Sequence, residues 1–133
     1  MIGIAQAWEY GLGSPEIVVA VIDTGINYTH EDLSQNYLPI GYDFVNLDDD
    51  PMDDNFHGTA CAGLIAASIN NNIGIAGLAN VSVFSEKVLD CLGYGSADQL
   101  AAGIYHAVDH GANILSMSLG SFENSSLVFE AIQ

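Results

Sequence analysis

An α/β fold built on a parallel sheet is what the sequence predicts, and three observations carry that prediction. Residues 17–22 form an unbroken apolar run, mostly β-branched, that ends on Asp23 and is turned away by Thr24-Gly25. Such a run reads as a strand buried on both faces. Residues 81–89 and 113–119 are two more strand-like runs, the second stopped by Gly120. Helical patterns lie between them, and strands that alternate with helices imply parallel strands joined by right-handed crossovers. No internal repeat or domain boundary is visible, so residues 1–133 are read as one domain.

Residues 2–10 put Ile4, Ala5 and Trp8 on one helical face, with Gly11 suited to the C-terminal cap. A loop over 11–15 leads into the first strand. Residues 27–39 are polar and turn-rich, and residues 40–45 suit a short strand. Asp48, Asp49, Asp50, Asp53 and Asp54 surround Pro51 in what reads as a solvated loop. His57-Gly58-Thr59 opens a helix of small residues, 60–68, able to pack closely. Residues 70–75 are a turn cluster. Gly93-Tyr94-Gly95 is a loop, after which Ser96 is placed to cap a helix over 97–110 that Gly111 ends. Residues 124–133 begin a last helix.

With 133 residues and 50% hydrophobic content, the chain can form a single core. No apolar run is long enough to span a bilayer. The first residues lack the basic start and long apolar stretch of a signal peptide, so either a leader was removed or the chain begins partway through a gene product. The formal charge is −16 and Lys87 is the only Lys or Arg. Nucleic acid and anionic membrane are disfavoured as partners, because phosphate contacts need Lys and Arg. The charge suits solubility, cation binding or a salty medium. Cys61 and Cys91 allow one disulfide without requiring it. Three Asn-x-Ser/Thr matches, at Asn27, Asn80 and Asn124, are what chance produces in so Asn- and Ser-rich a chain.

Asp23 is too polar for the core of the run that it ends. Open α/β sheets build their sites at the carboxyl ends of strands, although an Asp there also serves to cap a turn. His57, just ahead of the small-residue helix, equally suits a helix-start hydrogen bond. Together the two supply a carboxylate that orients an imidazole, fixes its tautomer and stabilises the imidazolium. Such a pair typically serves a nucleophile. His30, His106 and His110 read as structural; the last two are helix neighbours, but no third metal ligand accompanies them.

Val21-Ile22-Asp23-Thr24-Gly25, then His57-Gly58-Thr59-x-x-Ala62-Gly63, then Leu115-Ser116-Met117-Ser118-Leu119-Gly120 resemble, in this order, the subtilisin-like serine proteases. The resemblance runs from Ala7-Trp8 to Gly120. It implies a three-layer α/β fold with a parallel sheet, here truncated. It makes Asp23 the orienting acid and His57 the general base. It makes Ser118, Leu119 and Gly120 one wall of a substrate groove and Gly93, Tyr94 and Gly95 the other. An extended peptide would lie between them as an added strand. Leu100 and Leu119 would favour apolar substrate side chains, with plain core packing the alternative for Leu119. Asp32 and the turn 69–75 resemble the family's strong Ca²⁺ site. Asp32 and Asn71 would give side-chain oxygens, and Ile69, Ile73 and Ile75 carbonyls, toward the roughly six to eight oxygens that Ca²⁺ takes. A further family ligand, a Gln, precedes the position of Met1, so a weakened site is expected. Cys61, one turn after His57, matches a Cys of the thiol-containing branch; a buried, unpaired thiol is expected, or a bridge to Cys91.

Two departures matter. Ala60 stands where the family usually has a second His, which alters packing and not proton chemistry. The family's Gly-Thr-Ser-Met-Ala nucleophile motif and oxyanion Asn do not occur in these residues, and Ser116, Ser118, Ser121, Ser125 and Ser126 do not replace them. The expectation is a serine endopeptidase, secreted, acting on polypeptides, of which this stretch alone is inactive. A strand over 113–119 would have a bare outer edge that invites self-association. The alternative is a non-catalytic peptide- or calcium-binding module. A nucleotide-binding domain is disfavoured, since no glycine fingerprint follows any strand.

Overall fold

The computed structural model describes residues 3–121 and 124–133. Its elements in chain order are α1 (Ile4–Trp8), β1 (Val18–Asp23), β2 (Tyr42–Asp43), α2 (His57–Ala66), β3 (Ser82–Lys87), α3 (Ala97–Asp109), β4 (Ile114–Ser116) and α4 (Ser126–Ile132). The strands form one parallel sheet in the order β2-β3-β1-β4. The predicted α/β class with a parallel sheet is therefore what the chain adopts.

β1 alternates its side chains between the two faces, as a strand must. Val19 and Val21 join Val81, Val83, Ala62 and Ala66 in a core under α2. Ala20 and Ile22 join Phe84, Val88, Ile104 and Ala107 in a second core under α3. Val128 and Ala131 of α4 pack onto the same side. Helices cover both faces, giving three layers. Ser96 caps α3 as its type suggests: its hydroxyl accepts from Gln99 N at 3.2 Å while the Gln99 side chain accepts from Ser96 N at 2.8 Å.

Three elements are shorter than the sequence suggests by nearly half or more. The strand expected over 40–45 shrinks to Tyr42–Asp43, because Asp43 Oδ1 accepts from Val45 N at 2.7 Å and Asn46 N at 2.9 Å and curls the chain out of the ladder. The strand expected over 113–119 shrinks to Ile114–Ser116. It pairs with β1 alone, and among the described residues nothing lies on its outer side to extend it. The first helix covers Ile4–Trp8 of the expected 2–10, with Ile2 outside the described residues. Trp8 Nε1 donates to Leu78 O at 2.8 Å and ties this short helix down.

From β1 the chain passes to β2 at one edge, returns through α2 to β3 beside β1, then crosses through α3 to β4 on the other side of β1. The sheet reverses its winding at β1. The carboxyl end of that strand is the position at which α/β sheets open a crevice.

Candidate active site

β1 ends at the switch point on Asp23, which is fully buried. Its Oδ1 accepts from Thr24 N at 2.7 Å and lies 2.7 Å from His57 Nδ1. With a proton on Nδ1 donated to Asp23, Nε2 is left free to take one from a substrate or nucleophile. The His57 side chain is 47% exposed, so the imidazole meets solvent while the Asp23 carboxylate does not.

Asp53 holds this geometry in place, a role that the sequence did not reveal. Its carboxylate accepts from Asn55 N at 2.9 Å, Phe56 N at 3.0 Å, Thr59 N at 2.9 Å and Thr24 Oγ1 at 2.9 Å, and also from the Thr59 hydroxyl. Thr24 Oγ1 in turn accepts from Gly58 N at 2.9 Å. One side chain thus joins the turn after Asp23 to both sides of His57. Burial pushes the Asp53 carboxyl up, but the hydrogen bonds from Thr59, Asn55 and Thr24 together hold it below its ordinary range. Gly58 has to be glycine: a Cβ there would stand 2.1 Å from Gly25 O. The spacing Asp-x-x-x-x-x-Thr from 53 to 59 was visible in the sequence, hidden among the other aspartates of a loop read as merely solvated.

Lys87 is the second omission. It is 1% exposed, and its register partner across the sheet is Asp23. Nζ donates to Thr24 O at 2.7 Å, Asp54 Oδ1 at 2.6 Å and Leu89 O at 3.0 Å. A buried ammonium with three acceptors is fully paired, which removes most of the cost of burying it. The only Lys of the chain therefore braces the Asp23 turn from below.

Cys61 follows His57 by one turn of α2. It is unpaired, as expected, but only half-buried, because α2 packs its small residues against the sheet and leaves this flank open. Cys91 is free and exposed, so the alternative bridge is not formed. One ligand atom from each of Asp23, His57 and Cys61 lies within 4.8 Å of the others.

The expected groove walls sit on the two loops that flank the end of β1. Gly93, Tyr94 and Gly95 follow β3, and Ser118, Leu119 and Gly120 follow β4. Asp90 shapes the loop after β3 by accepting from Leu92 N and Tyr94 N, both at 2.9 Å. These two bonds hold the Asp90 carboxyl below its ordinary range. Asn55 Nδ2 donates to Cys91 O at 2.9 Å and links this loop to the one before His57. Leu100 and Leu119 are half-buried and pack against the core under α3. Core packing, the alternative kept open for Leu119, is thus part of its environment and of that of Leu100.

Asp32 is buried, with Oδ1 accepting from Asn71 Nδ2 at 2.7 Å and Oδ2 from Ile75 N at 3.0 Å. Those bonds, the Ile75 N–H first, keep its carboxyl below the ordinary range and therefore ionised. Gly74 is needed here, since its φ is +51° and a Cβ would meet Asp32 Oδ2 at 2.4 Å. The turn is already wrapped round one anionic oxygen pair, and the donor set is all oxygen, which fits Ca²⁺. Asn71 Oδ1 accepts from Ile73 N at 3.1 Å, so it would have to turn over to become a ligand.

Comparison with known proteins comes down on one family. The subtilase family matches residues 14–132. The thermophilic serine proteinase of Bacillus sp. (strain AK1) is 47% identical over 115 residues, 86% of this chain and 28% of that protein. Thermitase of Thermoactinomyces vulgaris is 41% identical over 128 residues, 96% of this chain and 45% of that protein. The halolysin-like extracellular serine protease Nep of Natrialba magadii is 40% identical over 121 residues, 86% of this chain and 22% of that protein. The chain spans less than half the length of each of these relatives.

Proposed function

The chain belongs to the subtilase family, and from that premise we propose that it supplies the acid and the base of a serine endopeptidase. The observation that carries the proposal is the 2.7 Å contact between Asp23 Oδ1 and His57 Nδ1 at the end of β1. His57 Nε2 takes the proton of a serine hydroxyl as that oxygen attacks the scissile carbonyl, then delivers it to the leaving amine. Asp23 holds the ring and stabilises the imidazolium between those steps. The serine and the oxyanion donor would come from residues outside this sequence, so the chain alone is inert. A polypeptide substrate lies extended between Gly93-Tyr94-Gly95 and Ser118-Leu119-Gly120, with Leu100 and Leu119 beneath its apolar side chains. Similarity to the extracellular serine protease Nep of Natrialba magadii supports export. Among the described residues no helix is long and apolar enough to cross a membrane.

Ca²⁺ would be held by Asp32, Asn71 and the carbonyls of Ile69, Ile73 and Ile75. It would supply charge neutralisation and rigidity to the turn behind α2, and no chemistry at His57. The outer edge of β4 would pair with another copy of the chain.

The test uses the chain joined to its downstream residues, assayed on a chromogenic peptide. Replacing Asp23 by Asn or His57 by Ala should each cost about 10⁴-fold or more in kcat, the scale seen when such a pair is broken. Turnover by His57→Ala equal to that of the parent would remove the proposal.

A further inference from the structure

Asp23, His57 and Cys61 form a mixed oxygen, nitrogen and sulfur set at the mouth of the crevice. We propose that this set is a binding site for Zn²⁺, and that the ion and the catalytic proton compete for the same two side chains. Four observations carry this.

The first is convergence: one ligand atom from each residue lies within 4.8 Å of the other two. Tetrahedral Zn²⁺, with bonds of about 2.0–2.3 Å, needs its ligands about 3.3–3.7 Å apart. Side-chain rotation of about 1 Å closes that gap. The second is an unused acceptor. Asp23 is fully buried and its Oδ2 has no hydrogen-bond partner among the described residues, so the carboxylate keeps a free lone pair beside the Oδ1 that holds His57. The third is accessibility, since His57 is half exposed and Cys61 half-buried, which leaves a fourth position for water. The fourth is ligand type. A thiolate and an imidazole select Zn²⁺ over Ca²⁺ or Mg²⁺, which prefer oxygen alone. His57 and Cys61 are separated by one turn of α2, so the helix presents both on one flank.

Binding is proton-balanced. Cys61 loses its thiol proton to solvent and binds as thiolate. His57 binds through Nδ1, its proton moving to Nε2, and Asp23 contributes a carboxylate oxygen. The Asp23–His57 hydrogen bond is replaced by two metal bonds, so the loaded site has no base. Binding rests on this geometry alone; only the inhibitory consequence rests on the endopeptidase reading.

The test is titration of the chain itself with Co²⁺ as a spectroscopic stand-in, followed by displacement with Zn²⁺. A 1:1 sulfur-to-cobalt charge-transfer band should appear, unchanged in Cys91→Ser and abolished in Cys61→Ser. In His57→Ala, affinity should fall at least about tenfold, because even outer partners of a metal ligand are worth about 10–100-fold. The 17 Asp and Glu residues attract divalent ions too, but oxygen ligands give no such band. Absence of the band at saturating Co²⁺ means carboxylate binding only and overturns the proposal, as does a full band in Cys61→Ser. Should Cys61→Ser fail to fold, alkylation of the parent decides. Zn²⁺ must slow modification of Cys61 while leaving Cys91 unaffected, and equal rates at Cys61 with and without Zn²⁺ overturn the site. None of these readouts requires proteolysis, so a failed metal site and a failed endopeptidase assignment are told apart.

Discussion

Phe56, next to His57, stands in a backbone conformation that its side chain disfavours. Its φ is +86° and it is 80% exposed, so neither geometry nor burial explains a phenylalanine there. What holds it is Asp53, which accepts the Phe56 amide and those of Asn55 and Thr59 around it. Strain of this kind costs about 1–3 kcal/mol, against about 0.5–1 kcal/mol of extra unfolded-state entropy for glycine. Phe56→Gly should therefore stabilise the chain by about 1 kcal/mol in urea unfolding, and an unchanged or lower midpoint would contradict the strain. The same residues explain how His57 keeps its aim: the side chain needs no partner beyond Asp23 because its backbone is clamped on both sides.

Between β3 and α3 sits a polar contact foreign to the apolar layer around it. Glu86 is fully buried, with Oε1 2.7 Å from His106 Nδ1 and Oε2 without a partner among the described residues. Burial pushes the Glu86 carboxyl up to about 8, against a smaller opposing pull from the Tyr42 backbone. Burial also depresses His106, helped by His110 stacked on it at 3.8 Å and opposed by Asp109 and Asp49. Both shifts describe a neutral pair, and an acid that keeps its proton tolerates one unpaired carbonyl oxygen better than a carboxylate would. A folded-state pKa raised above the unfolded one means that the native chain holds the extra proton. The stabilisation is complete below the unfolded value near 4.5 and is lost as pH climbs to about 8. His106 acts oppositely, only below its ordinary value of 6.5. From pH 6.5 to 8.5 the Glu86 loss is unopposed within the pair. Urea midpoints should fall over that range in the parent and stay level in Glu86→Gln; parallel curves would refute the buried proton. At the turn behind α2, Ca²⁺ should raise the melting temperature and a chelator reverse the gain, both effects vanishing in Asp32→Asn. An equal response in that variant would rule the turn out as the site.

Taken as one body, the sheet has two edges. β2 is two residues long and bridges to Asp48, whereas β4 has β1 as its strand neighbour and Ile114 on it is 52% exposed. An edge of this kind recruits further strands. The charge of −16 opposes approach of a second copy, and salt screens that repulsion within about 10 Å at 0.1 M. Light scattering should show dimers or larger species growing with salt. A monomer at every ionic strength would mean that the edge is protected.

By itself the sequence determined the class of fold, the buried strand that ends on an acid, the cap of α3, the pairing of Asp23 with His57, and the family. These are short-range matters: alternation, capping and motif spacing are written in consecutive residues. It misjudged strand lengths at Asp43 and after Ser116, where side-chain bonds or the lack of a neighbour end the ladder. Only the tertiary structure decided that Lys87 and Glu86 are interior and that Asp53 is a structural clamp. Charged residues look alike in a sequence, and what separates a solvated one from a structural one is which faces meet above it. Strand order did the same for the site. Asp23 and His57 lie 34 residues apart, and they touch because β1 is the strand at which the sheet reverses and α2 is the helix that packs against it.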